Sequence, residues 1–149
     1  MLYTPHFLTG AAIAHLVPNP IIALPLAFVS HFALDCIPHT DFDLTPGITL
    51  KKLLQYPRLR KLVIFGTMGI DAVLLIVSTV WILSLSPAAF YLLAGGCAGI
   101  LPDVADQSML FLGRQLLGFQ DKIQWRVRMR YGLISYPLVC LAAIIVLLK

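Results

Sequence analysis

Residues 30–43, S-H-F-A-L-D-C-I-P-H-T-D-F-D, crowd together side chains able to hold a metal or move a proton: His31, Asp35, His39, Asp41 and Asp43. The chain has four His in all, and its seven acidic residues are all Asp. On a helix, residues four apart stand one turn above each other on one face, so His31 and Asp35 point the same way. Pro38 has no amide hydrogen and pushes Ile37 out of helical geometry. The helix is therefore expected to end at 35–37, with His39 and Asp41 on the turn that follows. Imidazoles and carboxylates converging at a helix end are the donor set of a zinc, manganese or iron site. Asp43 reads as a loop cap.

Composition sets the surroundings of these groups. Hydrophobic residues make up 59% of the 149, charged residues 12%, and the mean hydropathy is +0.88. A water-soluble domain carries about 25% charged residues, so this chain lacks the polar surface to cover itself in water and reads as an integral membrane protein. Its length suits one membrane-embedded domain, 1–149. The opening residues have no basic n-region and are interrupted by Pro5 and His6, so no cleavable signal is expected. The net charge of +4 traces to two basic clusters: Lys51, Lys52, Arg58, Arg60 and Lys61, then Arg114, Lys122, Arg126, Arg128 and Arg130. In a membrane chain such clusters report orientation and contact with anionic head groups. The partners expected are membrane lipid and not nucleic acid, with a homo-oligomer left open. Cys36, Cys97 and Cys140 lack C-x-x-C spacing and lie in apolar sequence, as packed thiols do.

The elements that must position the polar groups read as an all-α bundle of four or five apolar helices. Hairpin 5–38 is split by Pro18-Asn19-Pro20, and a basic loop, 39–61, follows. Hairpin 62–102 turns at Ser86-Pro87. An amphipathic interfacial segment, 107–130, leads to a C-terminal helix, 132–148. Thr4-Pro5 reads as an N-cap and first helical position. Gly10, Ala11, Ala12 and Ala14, and Gly95, Gly96 and Gly99, are small residues that permit close helix approach.

Positive-inside counting puts both basic loops in the cytoplasm. His6, His31, Asp35, Asp71, Asp103 and Asp106 then fall at similar depth near that face, with His15 at the far end. Ile37-Pro38-His39 resembles Leu101-Pro102-Asp103, and His6 precedes His39 at nearly the spacing by which Asp71 precedes Asp103. Two repeated hairpins would bring those four residues together around a pseudo-twofold axis.

Each ionisable residue at membrane depth costs about 2.5–3.5 kcal/mol. Several at one depth call for compensation, which a divalent cation supplies; a purely hydrogen-bonded polar network is the alternative. Asp71 reads as a ligand, a group orienting a His, or a proton-carrying site. The Gly95/Gly99 pair is packing rather than a phosphate cradle, because no Lys-Ser/Thr follows. No nucleophile motif is present, so any hydrolysis would use metal-activated water.

His31-x-x-x-Asp35 followed by Pro38-His39 resembles the H-x-x-x-D…P-x-H core of the zinc-dependent phospholipase C and single-strand nuclease superfamily. The start His6-Phe7-Leu8-Thr9-Gly10 and Leu101-Pro102-Asp103 look like its membrane branch, the YdjM-like membrane-bound metal-dependent hydrolases. The resemblance covers the first third of the chain and a patch at 101–106. It implies a hydrolase of phosphoesters, including a phospholipid, in a bacterial or archaeal inner (plasma) membrane with its site facing the cytoplasm. The implied metal ligands are His6, His31, Asp35, His39 and Asp103, with Asp71 secondary; Asp35, Asp41 and Asp106 are the candidate catalytic carboxylates. Arg126, Arg128 and Arg130 would hold the substrate head group. No His follows His39 and H-R-G-x-T-H is absent, so one or two ions, zinc first, are expected rather than three. The competing readings are a non-catalytic metal-binding membrane protein and an ion or proton carrier using Asp71 and Asp103.

Overall fold

The structure, a computed structural model, describes residues 2–40, 53–85, 87–111, 120–127 and 132–149. Among them the secondary structure is helical: α1 (Tyr3–Leu16), α2 (Pro20–Asp35), α3 (Arg58–Leu85), α4 (Ala89–Phe111), a single turn α5 (Gln120–Ile123) and α6 (Ser135–Leu147). A helix that is apolar on every side has to be surrounded, and α1 is. Phe7, Leu8, Ala11, Ala12 and Ala14 are buried on its successive faces, and α2, α3, α4 and α6 all pack against it. The core joins Phe7, Leu8 and Ala11 to Ile82 of α3, Leu92 of α4, and Ala143 and Leu147 of α6.

The closest crossing, α1 on α4, is made of glycine. A Cβ on Gly10 would fall under 3.0 Å from the Gly95 carbonyl, and one on Gly99 under 3.0 Å from the His6 carbonyl. Backbone meets backbone along this seam, as small residues allow. The seam sets His6 directly over the turn of α4 that leads to Asp103.

Among the described residues, α3 alone is long and apolar enough to cross a membrane by itself, and 11% of its apolar window is buried. Its outer side presents Ile70, Val73, Ile76, Val77 and Val80, while α2 exposes Ile21, Ile22 and Val29 and α6 exposes Leu138 and Leu141.

Several boundaries differ from the sequence expectation. The first helix begins at Tyr3 rather than being capped by Thr4; Leu2 occupies the cap position with no side-chain cap. Asp71 of α3 caps it from outside, its Oδ2 accepting from the Tyr3 amide (2.9 Å) and its Oδ1 from the Thr4 amide (3.1 Å). The fourth helix does not stop at Leu101-Pro102-Asp103 but runs on to Phe111 with Pro102 buried inside it. An interior proline costs about 3 kcal/mol, and here tertiary packing of the helix outweighs it. In the segment read as amphipathic and interfacial, 107–130, the described residues 107–111 belong to α4 and 120–123 to α5, and Arg126 beyond them bridges to His39. By contrast, α2 ends at Asp35, as the Pro38 argument requires.

Candidate metal centre

His31 and Asp35 come from the last turns of α2, one turn apart, and both are fully buried. His6 enters from α1 and Asp103 from α4. The Nε2 of His6 lies 3.3 Å from Asp35 Oδ1, and the Nε2 of His31 lies 3.5 Å from Asp35 Oδ2 and 3.4 Å from Asp103 Oδ1. His39, on the turn after α2, sets its Nε2 4.0 Å from Asp35 Oδ1. His6, His31 and Asp35 thus gather their ligand atoms together, with Asp103 beside His31, His39 beside Asp35, and Asp35 at the middle. Its two oxygens face different imidazoles.

The remaining candidates fall elsewhere. Asp71 is a correction to the ligand set: both its oxygens serve the amides at the start of α1, and its backbone carbonyl accepts the Thr4 hydroxyl at 3.1 Å. A buried helix start needs acceptors for its unpaired N–H groups, which explains an Asp in the middle of an apolar helix. The fourfold arrangement suggested by the repeat therefore ends with His6, His39 and Asp103. Asp106 is half-buried, one turn beyond Asp103 on α4. Asp41, Arg128 and Arg130 lie outside the described residues, as do Asp43, Lys51, Lys52 and Arg114. His15, at the far end of α1, is exposed and lines a hollow of about 220 Å³ with Ala14, Pro18 and Tyr91.

Tautomers follow from the hydrogen bonds. His31 Nδ1 lies 3.0 Å from the Gly99 carbonyl, and His39 Nδ1 lies 2.9 Å from the Ile37 carbonyl. A carbonyl only accepts, so each Nδ1 carries a proton and each ring turns its Nε2 toward the carboxylates. Backbone carbonyls orient metal-binding imidazoles in the same way. Neither ring nitrogen of His6 has a hydrogen-bond partner among the described residues, although the side chain is fully buried.

The buried His6–His31–Asp35 group could hold a metal ion. A charge-assisted hydrogen bond would draw nitrogen and oxygen to about 2.7–2.9 Å, whereas ligand atoms on a tetrahedral ion with bonds of about 2.0–2.1 Å stand about 3.3 Å apart. The separations of 3.3, 3.5 and 3.4 Å match the second case. Asp35 and Asp103 bring two carboxylates to the imidazoles, a mixed N/O donor set of the kind divalent cations take. The donor set fits.

Sequence reasoning missed Gln124. Its Nε2 donates to Asp35 Oδ2 at 3.0 Å across 89 positions of chain. Around it Trp125 N–H donates to the Asp35 carbonyl (3.0 Å), His39 N–H to the Trp125 carbonyl (3.1 Å) and Val127 N–H to the His39 carbonyl (2.8 Å). Gly132 closes the far side of this turn, where a Cβ would fall under 3.0 Å from the Thr40 amide. Nothing in local periodicity marks a glutamine for such a contact. Compared with known proteins, the chain matches no family model, no curated sequence and no solved structure.

Proposed function

We propose that this chain is a membrane-embedded, metal-dependent hydrolase of phosphoesters, with its metal centre on the cytoplasmic side of a polytopic helical bundle. The observation that carries the reading is the buried His6–His31–Asp35 group, whose ring nitrogens and carboxylate oxygens face one another with Asp103 beside His31 and His39 beside Asp35. The apolar residues exposed on α2, α3 and α6 support a lipid setting for the whole bundle. The basic Arg126, on the segment bridged to His39, suits the cytoplasmic side.

His6, His31, His39, Asp35 and Asp103 would hold the ion, zinc by the softness and number of the imidazoles. When bound, a divalent cation supplies a Lewis acid that polarises a phosphoryl oxygen and acidifies water. Asp103, whose side chain keeps 16% of its surface exposed, and Asp106 beyond it are the carboxylates that would take the proton of the attacking water. Arg126, exposed beside Gln124, would hold the phosphate of a lipid head group at the mouth. Capping of α1 by Asp71 weighs against the carrier reading, since a group spent on two amides is poorly placed to pass ions.

The test is metal analysis of the detergent-purified chain together with turnover of a chromogenic phosphodiester and of phospholipid vesicles. Stoichiometric metal and turnover, both lost in Asp35→Ala, are the expected result. Metal without turnover would leave a non-catalytic metal-binding protein, and absence of metal would leave a His–Asp polar network.

A further inference from the structure

Asp35 meets the cluster through two oxygens, and something has to fix the rotation of its carboxylate. A donor that does so comes from outside the five long helices. Gln124 Nε2 donates to Asp35 Oδ2 at 3.0 Å, and Arg126 Nη2 donates to Gln124 Oε1. A guanidinium has only donors. It therefore turns the amide oxygen outward and the amide NH2 inward, so the orientation of Gln124 follows from chemistry rather than from assignment. The three backbone hydrogen bonds joining Trp125 and Val127 to Asp35 and His39 hold the segment in register.

We propose that Gln124 is the positioning residue of the metal centre: it locks the Asp35 carboxylate so that Oδ1 serves His6 and His39 while Oδ2 serves His31, and Arg126 locks Gln124. This rests on the metal reading above. The chain guanidinium to amide to carboxylate also polarises the amide toward Asp35, which lowers the basicity of Oδ2 relative to Oδ1 and makes the two oxygens unequal toward an ion. A residue acting on a ligand from behind typically changes metal affinity by about 10–100-fold.

The probe is Co²⁺ alone, added to the full-length chain in detergent, read by its visible absorption spectrum and by titration. In Gln124→Met, which keeps the volume and removes the donor, Co²⁺ affinity is expected to fall about 10–100-fold with a changed spectrum, at unchanged helix content. In Arg126→Ala, at an exposed position where folding is not at stake, the spectrum is expected to change in the same sense with a smaller loss of affinity. Spectra and affinities like the unsubstituted chain's in both variants would overturn the assignment. If Gln124→Met does not fold, Arg126→Ala decides by itself: an unchanged spectrum overturns it and a shifted one supports it. Failure of the unsubstituted chain to bind Co²⁺ would instead overturn the metal reading on which this inference stands.

Discussion

His6 stacks on His31 with ring centroids 4.0 Å apart and planes inclined by 26°, and both rings turn Nε2 toward the carboxylate of Asp35. Two imidazolium ions at that separation would repel each other in a buried site, where a charge costs far more than in water. The pair therefore tolerates one added proton far better than two. A cation shared with Asp35 relieves the contact without protonating either ring.

Competition between protons and metal gives the first prediction. A protonated imidazole has no lone pair to offer, so metal affinity should weaken as pH is lowered from about 8 to about 4. The loss per pH unit reports how many imidazoles bind. Zinc or cobalt titration at stepped pH measures it; affinity independent of pH over that range would exclude His ligation.

Asp35→Asn removes charge and keeps volume. Its metal content should drop from stoichiometric to near zero. The rise in melting temperature that added metal gives the unsubstituted chain should be lost with it. Metal analysis and a thermal melt in detergent give the two readouts.

Asp71→Asn separates capping from ligation. The amide retains one acceptor oxygen in place of two, and loss of a cap costs about 0.5–2 kcal/mol. A lower melting temperature with full metal content is expected. Loss of the metal with an unchanged melting temperature would return Asp71 to the ligand set.

The glycine seam predicts opposite outcomes for the same substitution. Gly10→Ala and Gly99→Ala place a methyl against backbone, where overpacking costs about 1–3 kcal/mol or more. Gly99→Ala also presses on the His6 carbonyl, so it should loosen metal binding besides. Gly66 and Gly69 of α3 meet nothing within 4 Å. Alanine there should stabilise by about 0.5–1 kcal/mol through helix propensity. Melting curves of the four variants distinguish the two classes.

Local rules carried the sequence a long way. Apolar runs marked the five longer helices, Pro38 ended α2 at Asp35, and the four-residue step aligned His31 with Asp35, because these follow from steric and periodic constraints acting within a few residues. The glycines of α1 and α4 were legible as packing residues for the same reason. Three matters were not legible. Pro102 reads as a helix end because its local penalty is visible, while the packing that overrides it is not. Asp71 resembles a ligand because an acid in an apolar helix has one sequence signature, whether it serves a metal or two amides of another helix. Gln124 carries no signature at all.

What the chain determined alone is therefore the supply of groups: which imidazoles and carboxylates exist, and on which helix faces they stand. Tertiary structure decided their assignment, since hydrogen-bond acceptors and donors are shared out by distance in space. Packing of α1 on α2 brought His6 to Asp35, packing of α4 on α2 brought Asp103 to His31, the 124–127 segment brought a glutamine to the Asp35 carboxylate, and the start of α1 claimed Asp71 first.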